Sequence, residues 1–308
     1  MLYVGVDFGG TKIEAAALSG DGDFLSRQRE PNPGNYTDAL KVVCDLIGRV
    51  EAEAKQKDPS LVNRVATIGV GAPGSVSPRT GVMRNANSTW LNGKTFREDL
   101  ESALKRPVRL ANDANCLALS EAIDGAAKGA PSVFAIIVGT GCGGGLVVNN
   151  HLIEGANGLA GEWGHIPLPW PNESEFPGPK CWCGLNGCLE MWVSGTGFAR
   201  DFQTVTGRPM KGEEIITAMR AGDADAEAAF DRLMDRLGRG MALIVNSLDP
   251  DVFVFGGGLS NVPEIYERLP EKIRPYVFSD TWQAKLAPAQ WGDSSGVRGA
   301  AYLWAQGH

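Results

Sequence analysis

Three cysteines fall within eight residues, as Cys181-Trp-Cys183-Gly-Leu-Asn-Gly-Cys188, and His165, one of only three histidines, stands just upstream. Cys₃His is a donor set that tetrahedral Zn²⁺ takes in closed structural sites. The spacing differs from the commoner zinc-finger pairs, so zinc is inferred here from donor number and clustering. The competing possibility is buried, unliganded thiols serving as small core residues. A stretch this rich in Gly and Pro offers them little core. The same loop, 161–190, carries Glu162 and Glu190. A bound ion would be a scaffold that holds these two carboxylates in place, and the carboxylates would be the working groups.

Carboxylate, amide and imidazole groups together suit a ligand with several hydroxyls, such as a sugar. Glu162, His165, Glu190, Asn112 and Asn87 supply that set. One nitrogen of His165 would hold zinc while the other bonds the ligand. Surface carboxylates and a turn asparagine are the alternatives. Two glycine-rich tips point to anion binding. Gly9-Gly10-Thr11-Lys12 and Thr140-Gly141-Cys-Gly143 each follow an apolar run. Glycine lets backbone N–H groups approach phosphate, to which Thr11 and Lys12 add a hydroxyl and a charge. A third cluster, Gly256, Gly257 and Gly258, is placed to receive a base or ribose. The alternative is that these glycines only make tight turns. Neither tip is a Walker sequence. Phosphoryl transfer needs Mg²⁺ and a proton acceptor. Asp7 ends a strand beside the first tip, where it could orient Mg²⁺. Asp113 follows a short apolar run at the entry of a helix and is the candidate base, although an N-cap role competes for any Asp so placed.

The elements that must position these groups are of mixed type. Residues 2–8, 13–18 and a run from Phe24 read as strands, and 37–54 has helical spacing of apolar residues. Strands are expected at 65–70, 108–113, 133–139, 146–149 and 251–255, and helices at 113–124, 195–204, 212–221, 225–247 and 295–304. The strand, glycine turn, strand pattern of 2–18 recurs at 133–148, which implies a duplicated unit and two lobes facing a cleft. The expected lobes are 1–112, completed by a closing helix at 295–308, and 113–294. With 36 Asp+Glu against 29 Lys+Arg and no basic cluster, a nucleic-acid or anionic-membrane surface is not expected. No apolar run is long enough to span a bilayer. Clustered or isolated cysteines fit a reducing cytoplasm rather than a disulfide framework.

Asp7-Phe-Gly-Gly-Thr-Lys12, Leu110-Ala-Asn-Asp-Ala-Asn115, Gly139-Thr-Gly-Cys-Gly143, Gly161-Glu-Trp-Gly-His165, the cysteine motif through Glu190 and Gly256-Gly-Gly258 together resemble the ROK sugar kinases nearly end to end. The resemblance implies an α/β, two-lobed actin/hexokinase-like ATPase fold of duplicated ribonuclease H-like units with a zinc-pinned loop. It implies ATP and a sugar as substrates, Mg²⁺ and structural Zn²⁺, Asp113 as general base, and sugar contacts from Glu162, His165 and Glu190. A homodimer is a family expectation. Residues 85–93, the Pro-Leu-Pro-Trp after His165 and residues 292–299 look most like bacterial fructokinases of the manno(fructo)kinase type, so fructose 6-phosphorylation is the expected reaction. N-acetylglucosamine or glucose kinases of the same family share the sugar motif and are the alternative. Sugar-responsive repressors on this fold carry an added N-terminal helix-turn-helix, for which a strand starting at residue 2 leaves no room.

Overall fold

The computed structural model describes residues 1–306. In chain order the elements are β1 (Leu2–Phe8), β2 (Lys12–Ser19), β3 (Phe24–Pro31), α1 (Tyr36–Lys57), β4 (Thr67–Gly71), β5 (Ser75–Val76), β6 (Met83–Arg84), α2 (Phe96–Leu104), β7 (Val108–Ala111) and α3 (Asp113–Ile123). They continue with β8 (Ser132–Val138), β9 (Cys142–Val148), β10 (His151–Ile153), α4 (Glu190–Val193), α5 (Gly195–Thr206), α6 (Gly212–Arg220), α7 (Ala224–Leu248), β11 (Val252–Gly256), α8 (Pro263–Ile273), β12 (Lys285–Pro288) and α9 (Ser295–Tyr302).

One five-stranded sheet has the order β3-β2-β1-β4-β7, and a second has β10-β9-β8-β11-β12. In the first, β3, β2 and β1 pair antiparallel while β4 and β7 join in parallel. In the second, β9 and β10 pair antiparallel while β11 and β12 run parallel to β8. The same order of strand types in both sheets bears out the duplication read from the sequence. The chain forms two compact units: residues 1–131, 145–160 and 290–308, and residues 132–144 and 161–289. Helix α3 therefore belongs with the first unit, although the boundary was expected at 112/113. The closing helix ends at Tyr302, and positions 307 and 308 of the expected 295–308 segment lie outside the described residues.

In the first unit β1 is covered on both faces, which is why it reads as a nearly continuous apolar run. Val4, Val6 and Phe8 belong to the core that α1 fills with Val43, Leu46, Ile47 and Val50. The alternate residues Gly5 and Asp7 face α9. A Cβ on Gly5 would lie 2.0 Å from Val297 O, and one on Gly69 would lie 1.9 Å from Ala300 O. Helix α9 thus rests its backbone directly on the sheet. It meets α3 as closely, since a Cβ on Gly299 would stand 1.7 Å from Cys116 O. Buried Glu121 ties the two helices, accepting from Gln290 N at 2.9 Å, Trp291 N at 3.1 Å and Ser295 Oγ at 2.8 Å. Arg298, also buried, pairs with Asp124 and lies 3.9 Å over the Trp291 ring.

In the second unit α7 is the platform. A Cβ on Gly238 would fall 2.8 Å from the backbone of Lys272 in α8, and one on Gly240 would fall 2.6 Å from Leu189 Cδ2. Its buried stripe includes Phe230, Leu233, Leu237, Met241, Ile244 and Val245. The glycines after Thr140 are not a long hairpin turn as expected, because β9 already begins at Cys142. Gly144 is in the strand for space, since a Cβ there would be 2.8 Å from Trp163 Cδ1.

Gly299→Ala should lower stability by about 3 kcal/mol through backbone displacement between α3 and α9. Gly48→Ala is the control. It sits exposed in α1 where a Cβ meets nothing within 4 Å, and it should gain about 0.5–1 kcal/mol. Urea titration of both variants measures the difference.

Candidate active site and metal centre

The loop 161–190 has little regular structure, and its path is set by a few backbone bonds. Leu168 N donates to Gly187 O at 2.9 Å, Leu189 N to Ile166 O at 2.8 Å and Cys181 N to Leu185 O at 2.8 Å. Gly178 and Gly187, both at positive φ, pass so closely that a Cβ on Gly178 would be 2.6 Å from the Gly187 Cα. This folding brings His165, Cys181, Cys183 and Cys188 together, with donor atoms all within 4.8 Å of one another. Cys183 Sγ and Cys188 Sγ are 3.5 Å apart, and Cys181 Sγ is 3.6 Å from His165 Nδ1. A tetrahedron with Zn–S near 2.3 Å and Zn–N near 2.0 Å has edges of about 3.5–3.8 Å. The donor set fits zinc. Use of Nδ1 leaves Nε2 of His165 for another partner.

Sequence reasoning assigned the order of this loop to the ion alone. The structure adds a second anchor. Glu175, buried, takes bonds from Arg236 Nε at 2.8 Å and from Arg239 Nη1 and Nη2 at 2.9 and 2.8 Å. Arg239 also donates to the carbonyls of Pro169 at 3.1 Å and Trp170 at 2.9 Å. Both arginines lie on α7, so the helix grips the loop on the side away from its cysteines in sequence. Burial pushes the Glu175 carboxyl up, but the bonds from Arg239 and Arg236 outweigh it and hold the pKa at about 2.

Glu190 opens α4 directly after the last cysteines. Its Oε2 accepts from Cys142 N and its Oε1 from Trp182 Nε1, both at 2.9 Å. Gly141 must be glycine for this approach, since a Cβ would lie 2.8 Å from Glu190 Oε2. Glu162 and His165 share one turn of 3₁₀ helix, with His165 N bonded to Glu162 O at 3.2 Å. The three proposed sugar groups of the second unit are therefore carried by one braced loop. The second glycine tip lies beside the Gly257–Gly258 turn: a Cβ on Gly257, at φ +81°, would be 3.1 Å from Gly139 N. Gly256 is buried as the end of β11, Gly257 and Gly258 are exposed, Thr140 is exposed and Gly143 lies within β9. The start of α5 joins this group, with Thr196 Oγ1 donating to Thr140 O at 2.8 Å and Gly195 N to Gly139 O at 2.7 Å. Thr196 was missed in the sequence, although a Thr between two glycines at a helix start was a usable signal.

In the first unit the tip between β1 and β2 is fastened by Asn32, whose Nδ2 donates to Gly9 O at 2.7 Å and whose N donates to Thr11 O at 2.9 Å. Gly9 is needed for the turn, because a Cβ would be 2.9 Å from Lys12 O. Gly10 is open, with only Ser88 Oγ at 3.7 Å. The loop bearing Asn87 thus lies beside this tip. Asn87 is exposed, and its Oδ1 accepts from Ser88 N at 2.8 Å. Asn92, which sequence reading did not single out, clamps Ala86 through bonds of 2.9 and 3.0 Å.

The cap of α3 is Asn112, whose Oδ1 accepts from Asn115 N at 2.7 Å. Asp113 is the first helical residue, so capping does not account for it, and Asn112 keeps its amide N–H groups and one carbonyl lone pair for a ligand. Asp113 is accessible to solvent, yet the surrounding protein raises its pKa by burial. Burial first, and then the charges of Asp113 and Glu14, push Asp7 up to about 6. Buried Glu14 has two arginines, Arg27 at 2.6 Å and Arg29 at 2.7 Å. Among the described residues no ion pair of that kind is formed by Asp7 or Asp113. Two neighbouring carboxylates without such partners fit a divalent cation, which would relieve their repulsion.

These two sheets with glycine tips and a loop carrying a Cys₃His cluster define a fold of the ROK hexokinase-like class. The model of the ROK family matches residues 3–307. The chain belongs to the ROK family. It is 38% identical over 307 residues to an N-acetyl-D-glucosamine kinase of Pectobacterium atrosepticum, covering 98% of each chain. The ROK hexokinase of Thermus thermophilus superposes with a TM-score of 0.86 at 36% identity, covering 99% of both chains. A ROK glucokinase from Streptomyces griseus, solved with glucose and AMPPNP, gives a TM-score of 0.76 at 29% identity over 100% of both chains.

Glu175→Gln should destabilise the protein by about 1.5–3 kcal/mol, because charge-assisted bonds to two buried guanidinium groups are weakened while Arg236 keeps Asp201 and Arg239 keeps Asp235. Glu175 binds its proton less readily folded than unfolded. Its contribution is thus complete above pH ~4.5 and declines as pH falls toward 2. Chemical denaturation from pH 3 to 7 should show the variant's deficit shrinking at the acid end; a deficit independent of pH would contradict the assignment.

Proposed function

We propose that the protein is an ATP-dependent sugar kinase that phosphorylates N-acetyl-D-glucosamine. The observation that carries the choice of sugar is the similarity over 98% of the chain to N-acetyl-D-glucosamine kinases, at 38 and 39% identity. Fructose, expected from the loop motifs, becomes the less favoured substrate. Glucose remains a comparator because the family's sugar motif is shared.

In this reading Glu162, His165 and Glu190, with Asn87 and the amide of Asn112, bind the sugar hydroxyls through carboxylate, imidazole and amide groups. Asp113 accepts the proton of the attacking hydroxyl as the bond to the γ-phosphorus forms, and ADP leaves with the electrons of the broken P–O bond. The raised pKa of Asp113 makes it a stronger base than an ordinary surface carboxylate. Gly9, Gly10, Thr11 and Lys12 hold phosphate oxygens, as do Thr140, Gly141 and Gly143. Gly256, Gly257 and Gly258 receive the nucleoside. Bound Mg²⁺ would offset charge on the phosphates, with Asp7 as its protein anchor. Zinc on His165, Cys181, Cys183 and Cys188 would act as scaffold. A cytoplasmic homodimer completes the proposal. Among the described residues no helix is long and apolar enough to cross a membrane.

In a coupled assay of ADP release, kcat/KM for N-acetyl-D-glucosamine should exceed those for glucose, mannose and fructose by at least about 10-fold, a difference of ~1.4 kcal/mol. A preference for fructose would reverse the substrate assignment. Asp113→Asn should lower kcat by about 10²–10⁴-fold while sugar affinity stays within a few-fold. Sugar-dependent turnover near the wild-type rate would remove Asp113 from the base role.

A further inference from the structure

Trp182 stands between Cys181 and Cys183 of the Cys₃His set, so an ion bound there would fix its backbone from both sides. It is 63% exposed. Among the described residues its indole meets two groups assigned above to the sugar. Nε1 donates to Glu190 Oε1 at 2.9 Å. The ring packs edge-on against His165, with centroids 4.8 Å apart and planes at 87°. Glu190 is meanwhile held at its other oxygen by Cys142 N at 2.9 Å. A carboxylate has about four lone-pair sites. The two N–H donors occupy one on each oxygen, which fixes the plane of the group and leaves one site per oxygen for a ligand. The edge contact likewise limits rotation of the imidazole whose Nδ1 faces Cys181.

We infer that Trp182 is a positioning residue for sugar recognition, acting through Glu190 and His165 rather than by touching the reacting atoms. This rests on the sugar-kinase function proposed above. Without the indole N–H, the Glu190 carboxylate would keep a single backbone donor and would have to be ordered by the incoming sugar, which weakens binding.

The test is Trp182→Phe, which keeps an aromatic ring beside His165 but removes the donor. Calorimetric titration of the zinc-loaded protein with N-acetyl-D-glucosamine should show affinity lowered about 5- to 30-fold, as for loss of a charge-assisted hydrogen bond. KM for the sugar should rise in step, with KM for ATP, kcat, zinc content and Tm unchanged. Unaltered sugar affinity in Trp182→Phe would overturn the inference. So would loss of zinc together with falls in both kcat and sugar affinity, because the indole would then serve the packing of the metal loop. Wild-type protein that neither binds nor phosphorylates the sugar would overturn the proposed function itself, whatever the variant does.

Discussion

Glu190 depends on an arrangement that no regular element supplies. Its carboxylate sits two residues beyond Cys188, at the first residue of α4, receives one N–H from a neighbouring hairpin and one from Trp182, and ends a loop with almost no helix or strand. Ordering such a loop costs about 1–2 kcal/mol of backbone entropy per residue. Two devices oppose that cost at separate points. Near the cysteines, four donor atoms lie within 4.8 Å of one another, and two of the pairs stand at 3.5 and 3.6 Å, near the edges of a zinc tetrahedron. Before the cysteines, Glu175 is buried between Arg236 and Arg239 of α7. A buried ion triad is poor evidence of extra stability in itself. Here it fixes a register, because Arg239 also holds the carbonyls of Pro169 and Trp170.

The first unit solves a different problem, that of keeping carboxylates close without cations fixed to them. Strand alternation sends Val4 and Val6 into the α1 core and Asp7 toward α9. There Gly296 leaves it room, since a Cβ would be 3.2 Å from the Asp7 carboxyl. Asn112 takes over the capping of α3, which frees Asp113 from that duty. Glu14, two residues beyond the glycine tip, shows what a structural buried carboxylate looks like in the same neighbourhood, with Arg27 and Arg29 bound to it. The contrast between the paired Glu14 and the mutually repelling Asp7 and Asp113 separates framework charge from candidate chemistry.

Much of this was legible from residue types. Apolar strand runs, the first glycine tip and the clustered thiols are local signals found where the sequence placed them, while the second glycine tip is shorter because β9 begins at Cys142. The duplicated strand order was readable because both copies keep the apolar strand, glycine turn, apolar strand pattern. What escaped was non-local. Arg236 and Arg239 are 61 and 64 residues from Glu175, and nothing in their own segment marks them as loop anchors. Gly144 looked like part of a turn but is a spacer for Trp163, which only packing reveals. Helices α2 and α8 and strand β12 drew no assignment. In α8 a proline inside the helix breaks the usual pattern. Residue types alone do not separate one hexose from another, because hexoses share the hydroxyls that carboxylate and imidazole groups suit.

Zinc K-edge X-ray absorption on the purified protein tests the braced loop most directly. The account predicts a four-coordinate shell of three sulfurs near ~2.3 Å and one nitrogen near ~2.0 Å. A shell of oxygen donors, or fully active protein without zinc, would contradict it.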